Sequence, residues 1–83
     1  MRIVRDEPKR LANLDKHGMD FGDLASEFFE VAVIIPARWG RLMAIGRLHG
    51  HGPLAVVFVR MGSEALSIVS MRAAGEKERR LLR

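Results

Sequence analysis

The spacing of apolar positions changes its period twice along this chain, and the changes mark out its elements. Ile3 and Val4, flanked by Arg2 and Arg5, predict a short edge strand. Asp6 then reads as a helix N-cap, with Glu7, Pro8 and Lys9 in a first turn where proline is tolerated and an acid suits the dipole. Leu11, Ala12 and Leu14 give that helix, over 7–17, a small apolar face, and Gly18 follows Lys16 and His17 as a natural C-cap. Asp20 opens a second predicted helix, over 21–30. Its Phe21, Leu24, Ala25, Phe28 and Phe29 recur at i, i+3, i+4, i+7 and i+8, a full amphipathic stripe that reads as core.

After Glu30 the period shortens to that of strands. Val31 to Ile35 is stopped by Pro36, Arg41 to Leu48 ends in the turn residues His49-Gly50-His51-Gly52-Pro53, Leu54 to Arg60 follows, and Met61-Gly62-Ser63-Glu64 turns into Ala65 to Met71. Connections this short make antiparallel neighbours, because a parallel crossover needs about a dozen residues. From Ala73 to Arg83 the pattern is helical again. Two helices, a meander and a last helix predict an α+β fold, with the helices packed on an antiparallel sheet of four or so strands through Leu14, Leu24 and Phe28.

At 83 residues the chain has room for a single domain, 1–83, and a thin core. It has no cysteine, which removes disulfides, thiolate metal sites and thiol nucleophiles. No apolar run approaches the roughly 18 residues of a membrane span, and Met1 to Asp6 lacks a signal-peptide core. A cytoplasmic location away from membranes is therefore expected.

Charge alters the picture more. Lys plus Arg is 14 against 10 acidic residues, and the bases are arginine except for Lys9, Lys16 and Lys77. The guanidinium fork matches phosphate bidentately, whereas an ammonium is a point charge. Asp20, Asp23, Glu27 and Glu30 form an acidic stretch, while from Val31 to Ser63 the formal charges are Arg38, Arg41, Arg47 and Arg60. Arginines on a sheet without acidic partners point to an anionic ligand, nucleic acid first and an acidic protein segment second, or else to a solvated face.

Among residues able to do chemistry, His49 and His51 lie in a hairpin tip without a convincing third ligand, so no metal and no cofactor is expected. His17 occupies a helix C-terminus beside Lys16, a place suited to capping or to catalysis. No nucleophile elbow, P-loop or zinc motif is present. RNA cleavage needs none of them, because the ribose 2′-hydroxyl is the nucleophile and the protein supplies a base, an acid and positive charge around the phosphorane. His17, Lys16 and Glu78 are available for proton transfer, and Arg41, Arg60 and Arg72 for charge. Trp39, in Pro36-Ala37-Arg38-Trp39-Gly40, is placed either to stack on a base, to anchor a partner or to cap the core.

Asp6, Lys9, Asn13, Lys16, His17, Gly18 and Phe21 fall in register with the signature W-D-x-x-K-x-x-x-N-x-x-K-H-G followed by an aromatic, and on these residues the chain resembles the BrnT family of type II toxins. Arg41-Leu42-Met43-Ala44-Ile45-Gly46 is similar to that family's R-F-x-x-I-G strand, and Ile68 to Ala73 with Glu78 downstream to its I-I-S-x-R-x-A and E-R-R. The chain departs from the pattern at Arg5, where the family has tryptophan, and at Ser67, Met61, Ala74 and Leu82. The resemblance implies a RelE-like fold, metal-independent RNA cleavage and growth arrest. It also implies neutralisation by a BrnA-like ribbon-helix-helix antitoxin that carries the complex to promoter DNA. It places Lys16, His17, Arg41, Arg72 and Glu78 at catalytic positions, with His17 and Glu78 moving protons; Lys9, Arg47 and Arg60 are expected to bind nucleic acid. The alternatives are a homologue that binds antitoxin and RNA without turnover, and a free-standing RNA-binding module.

Overall fold

The computed structural model of the protein describes residues 1–82; Arg83, which the sequence pattern assigns to the last helix, lies outside the described residues. Five strands form one mixed sheet: β1 (Arg2–Val4), β2 (Val33–Pro36), β3 (Leu42–Leu48), β4 (Gly52–Met61) and β5 (Ala65–Ala73), in the order β1-β5-β4-β3-β2. The β2 to β5 run is the antiparallel meander that the short turns demand. The long connection between β1 and β2 lets β1 return to the far edge, parallel to β5 over Ala65–Ser67.

Helix α1 (Glu7–His17) starts and stops where the caps predict. The Asp6 carboxylate accepts the Lys9 N–H at 3.3 Å, and Gly18, at φ 69°, donates its N–H to the Leu14 carbonyl at 2.8 Å. Its packing departs from expectation. Leu11 and Leu14 are 52% and 37% exposed, and the buried residue of α1 is Asn13. Beyond Ser67, β1 no longer pairs with β5, so that edge has backbone groups to satisfy. The Asn13 carboxamide does so at Met71, donating to its carbonyl at 2.9 Å and accepting its N–H at 3.0 Å. The helix is thus docked on the sheet edge by hydrogen bonds and needs no apolar stripe there.

The predicted helix over 21–30 is broken in two: a 3-10 turn at Phe21–Asp23 and helix α2 (Ser26–Val31). Arg5 explains the break. Its guanidinium donates to the Phe21 carbonyl at 3.0 Å and the Leu24 carbonyl at 2.5 Å, taking acceptors a continuous helix would use, while Asp20 accepts the Gly22 N–H at 2.8 Å. The aromatic stripe survives the break. Phe21, Leu24, Phe28 and Phe29 are all buried against Ala44, Leu54, Val56, Phe58, Leu66, Ile68 and Met71 on one face of the sheet. Gly46 belongs to that face because a Cβ there would stand 3.1 Å from the Phe28 ring.

The last helix, α3 (Glu76–Arg80), is shorter than predicted, since the β4–β5 ladder continues through Arg72 and Ala73 before Gly75 opens the helix. It serves the other face. Glu78 is bonded to Arg72 on β5, and the Leu82 carbonyl accepts from Arg47 on β3 at 3.5 Å. The C-terminal segment therefore runs from β5 toward β3 above Ala55 and Ile45, both fully buried yet outside the aromatic core.

Candidate functional site

Strand alternation decides which charged residues share a surface. On β3, Leu42, Ala44 and Leu48 pack against the aromatic core, so Met43, Ile45 and Arg47 project from the opposite face, and Arg41, just before the strand, lines a hollow there with Met43 and Val57. The pairings carry that face across the sheet. Met43 lies opposite Val57 and Val57 opposite Ser70; Ile45 lies opposite Ala55 and Ala55 opposite Arg72. With strands about 4.8 Å apart, the Met43 to Ser70 row spans roughly 10 Å. Arg60, two positions from Phe58, shares its face and pairs with the buried Leu66, so it stands on the aromatic-core side of the sheet. Arg60 is thus the one of the three arginines Arg41, Arg60 and Arg72 that strand alternation puts on the other side, because it sits an odd number of positions from Val57 along β4.

Three hollows edge the row. The first lies between α1 and β5, about 190 Å³, bordered by Lys9, Lys16, His17, Val69 and Ser70. Docking of Asn13 on Met71 puts Lys16 and His17, at the exposed end of α1, beside Ser70. The second, about 480 Å³, is framed by Arg72, Gly75, Lys77 and Glu78. The third, about 340 Å³, holds Arg41, Arg38 and Trp39 over Met43 and Val57. A larger hollow of about 690 Å³, between Met1 and the Met61 to Ala65 turn, contains none of these residues. The fold thus brings Lys9, Lys16, His17, Arg41, Arg47, Arg72 and Glu78 to one face and its β5 edge, and leaves Arg60 behind.

Arg72 and Glu78 form the best-ordered pair of the site. Two guanidinium nitrogens of Arg72 donate to the two carboxylate oxygens of Glu78 at 2.7 and 2.8 Å, and the Gly75 N–H donates to Glu78 at 2.7 Å. Arg72 foremost, with the Gly75 N–H helping against burial, holds the Glu78 carboxyl at about 2. A carboxylate so acidic is a weak base near neutrality. Its evident effect is to fix the plane of Arg72 on the open face.

Trp39 does not cap the core: it is 82% exposed. It sits in the β2–β3 turn in a left-handed conformation, φ 59°, with the Arg41 guanidinium 5.6 Å from its ring centre. Two residues that fall within the motifs, without a role assigned to them there, acquire one. Ser70 lies on the same face of β5 as Arg72, lines the His17 hollow and pairs with Val57, which lines the Arg41 hollow; Asn13 positions α1. The period-2 relation of Ser70 to Arg72 was readable, whereas Asn13, although a motif residue, makes its contact across 58 residues, and no local pattern names that partner. Among the described residues no three His, Asp or Glu side chains converge as a metal-binding group, and no helix is long and apolar enough to cross a membrane.

A family model described as the ribonuclease toxin BrnT of type II toxin–antitoxin systems matches residues 6–78. The crystal structure of the Brucella abortus ribonuclease toxin BrnT is similar, with a TM-score of 0.83 and 53% sequence identity, over 92% of this chain and 99% of that one. No curated protein sequence matches.

Proposed function

The chain belongs to the BrnT family of ribonuclease toxins of type II toxin–antitoxin systems, and from that premise we propose that it cleaves RNA on the open sheet face by attack of the 2′-hydroxyl. The observation that carries the reading is the convergence of Lys16, His17, Arg41 and Arg72 around the Met43–Val57–Ser70 row. In the reaction the 2′-oxygen bonds to the adjacent phosphorus and the bond from phosphorus to the 5′-oxygen breaks. His17 takes the 2′-hydroxyl proton, and Lys16 supplies a proton to the departing 5′-oxygen. Arg41 and Arg72 stabilise the charge of the phosphorane. Glu78 serves as a positioning residue, since its carboxyl is held at about 2 and both oxygens engage Arg72. Lys9 and Arg47 flank the site and guide the backbone electrostatically.

The products are a 2′,3′-cyclic phosphate, or the 3′-phosphate after its hydrolysis, and a 5′-hydroxyl. The nucleophile comes from the substrate, so the reaction requires no divalent metal. As a toxin of a type II system the protein has an antitoxin partner and RNA as substrate. In the finer reading that partner is a BrnA-like ribbon-helix-helix protein. Its acidic or amphipathic segment competes with RNA for the arginine face, and the complex reaches promoter DNA through it. The action is placed in the cytoplasm.

The test is incubation of purified protein with RNA, with and without EDTA, followed by identification of the ends. Cleavage that persists in EDTA, leaves cyclic or 3′-phosphate ends and disappears in His17→Ala supports the reading. Activity abolished by EDTA and restored by magnesium overturns it.

A further inference from the structure

We infer that Trp39, with Arg41 and the hollow beside them, forms a stacking site for an unpaired RNA base next to the cleavage point, and this rests on the ribonuclease reading above. Four observations converge. The indole is 82% exposed, so it contributes little to the core. Its backbone lies in the left-handed region at φ 59°, ψ 40°, a conformation that glycine or asparagine adopts more readily than a bulky aromatic. A residue kept in that conformation while its side chain faces solvent marks a functional position. The Arg41 guanidinium stands 5.6 Å from the ring centre, a cation–π arrangement that leaves the ring a further face for a ligand.

The fourth observation is the floor of the hollow. Met43 and Val57 supply an apolar surface, with Arg38 and Arg41 at its rim, and no acid lies between Val31 and Ser63. An aromatic platform with an apolar floor and an arginine rim is complementary to a nucleobase carrying its phosphate. Continuity fixes which base. Met43 and Val57 belong to the row that ends at Ser70, in the hollow of Lys16 and His17. A strand whose scissile phosphate lies near His17 and Arg72 has its neighbouring nucleotide carried along this row toward Trp39. Arg41 then has two tasks, neutralising phosphate and bracing the indole.

Trp39 is the chain's one tryptophan, so its emission reports the site directly. The experiment titrates the protein with a short single-stranded oligonucleotide bearing 2′-O-methyl riboses, which blocks cleavage, and with its abasic counterpart. Emission and, with end-labelled oligonucleotide, anisotropy are both followed. Saturable quenching by the base-bearing strand alone is expected. Trp39→Asn, which suits the left-handed backbone, is expected to keep the wild-type melting temperature and to bind about 5- to 150-fold more weakly, the equivalent of about 1–3 kcal/mol per stacked base. Trp39→Phe restores most of that affinity. If the oligonucleotide binds by anisotropy while emission stays constant and Trp39→Asn binds as tightly as wild type, the stacking site is wrong and the ribonuclease reading stands. A wild-type protein that binds no oligonucleotide by anisotropy overturns both.

Discussion

Asn13 and Met71, far apart in the chain, share two hydrogen bonds of 2.9 and 3.0 Å that replace a missing strand pairing at the β5 edge. The Asn13 carboxamide also donates to the Met19 carbonyl at 3.1 Å, so one buried side chain joins α1, the following turn and the sheet. Lys16 and His17 lie at the end of the same helix, and their distance from Ser70 depends on that joint.

Asn13→Leu is accordingly expected to destabilise the fold by about 2–4 kcal/mol, because it leaves the Met71 N–H and carbonyl buried without partners. Urea denaturation measures the loss. RNA cleavage should fall further than the loss of folded protein accounts for, since α1 is no longer held in register with β5. Equal activity per folded molecule would show that the joint does not position the site.

Gly46 and Phe28 should be coupled. Gly46→Ala puts a methyl 3.1 Å from the Phe28 ring and 3.3 Å from the Ala32 methyl, and is expected to cost about 1–3 kcal/mol by overpacking. Phe28→Ala removes a buried ring stacked edge-on to Phe29 and is expected to cost about 3–5 kcal/mol. In the double variant the methyl enters space the ring vacated, so the combined loss should be smaller than the sum. Thermal or urea unfolding of the four proteins gives the coupling energy.

The Arg72–Glu78 pair carries a pH signature. The Glu78 carboxyl lies at about 2 in the fold against an ordinary 4.5. A depressed value stabilises the folded state above 4.5, and that contribution is lost as the pH falls from 4.5 toward about 2. Glu78→Gln should remove about 1–2 kcal/mol at neutral pH, allowing for solvent around the 37% exposed Arg72 side chain. It should also flatten the acid limb of stability against pH. In cleavage assays kcat should drop more than RNA affinity, because Arg72 keeps its charge and loses its orientation. An unchanged kcat would remove Glu78 from the positioning role.

Arg41 and Arg60 stand on opposite sides of the sheet, one on the face of the Met43–Val57–Ser70 row and one on the face of the aromatic core. Arg41→Glu should weaken RNA binding and reduce the slope of log affinity against log salt by about 0.7 for each single-strand phosphate it leaves unneutralised. Arg60→Glu should leave the slope near wild type. A salt series on both variants decides it, and equal effects would mean that RNA does not favour the open face.

Local chemistry made much of this protein legible from its sequence. The caps Asp6 and Gly18 bound α1 because capping is a contact within a few residues, and the glycine- and proline-marked turns set the meander because short connections admit only antiparallel neighbours. The spaced motif residues likewise pointed to the toxin family. What the tertiary structure alone decided depends on groups distant in sequence. Arg5 broke the expected helix over 21–30 by taking the Phe21 and Leu24 carbonyls, a competition that helical periodicity does not register. Asn13 docked α1 where Leu11 and Leu14 were the expected contacts, because a free strand edge requires hydrogen bonds before it requires apolar cover. Register sent Arg60 to the far face, and the helix following Gly75 turned Glu78 onto Arg72. Charge counts tell how many arginines a chain carries; the pleat of the sheet and the ends of its helices determine which of them meet.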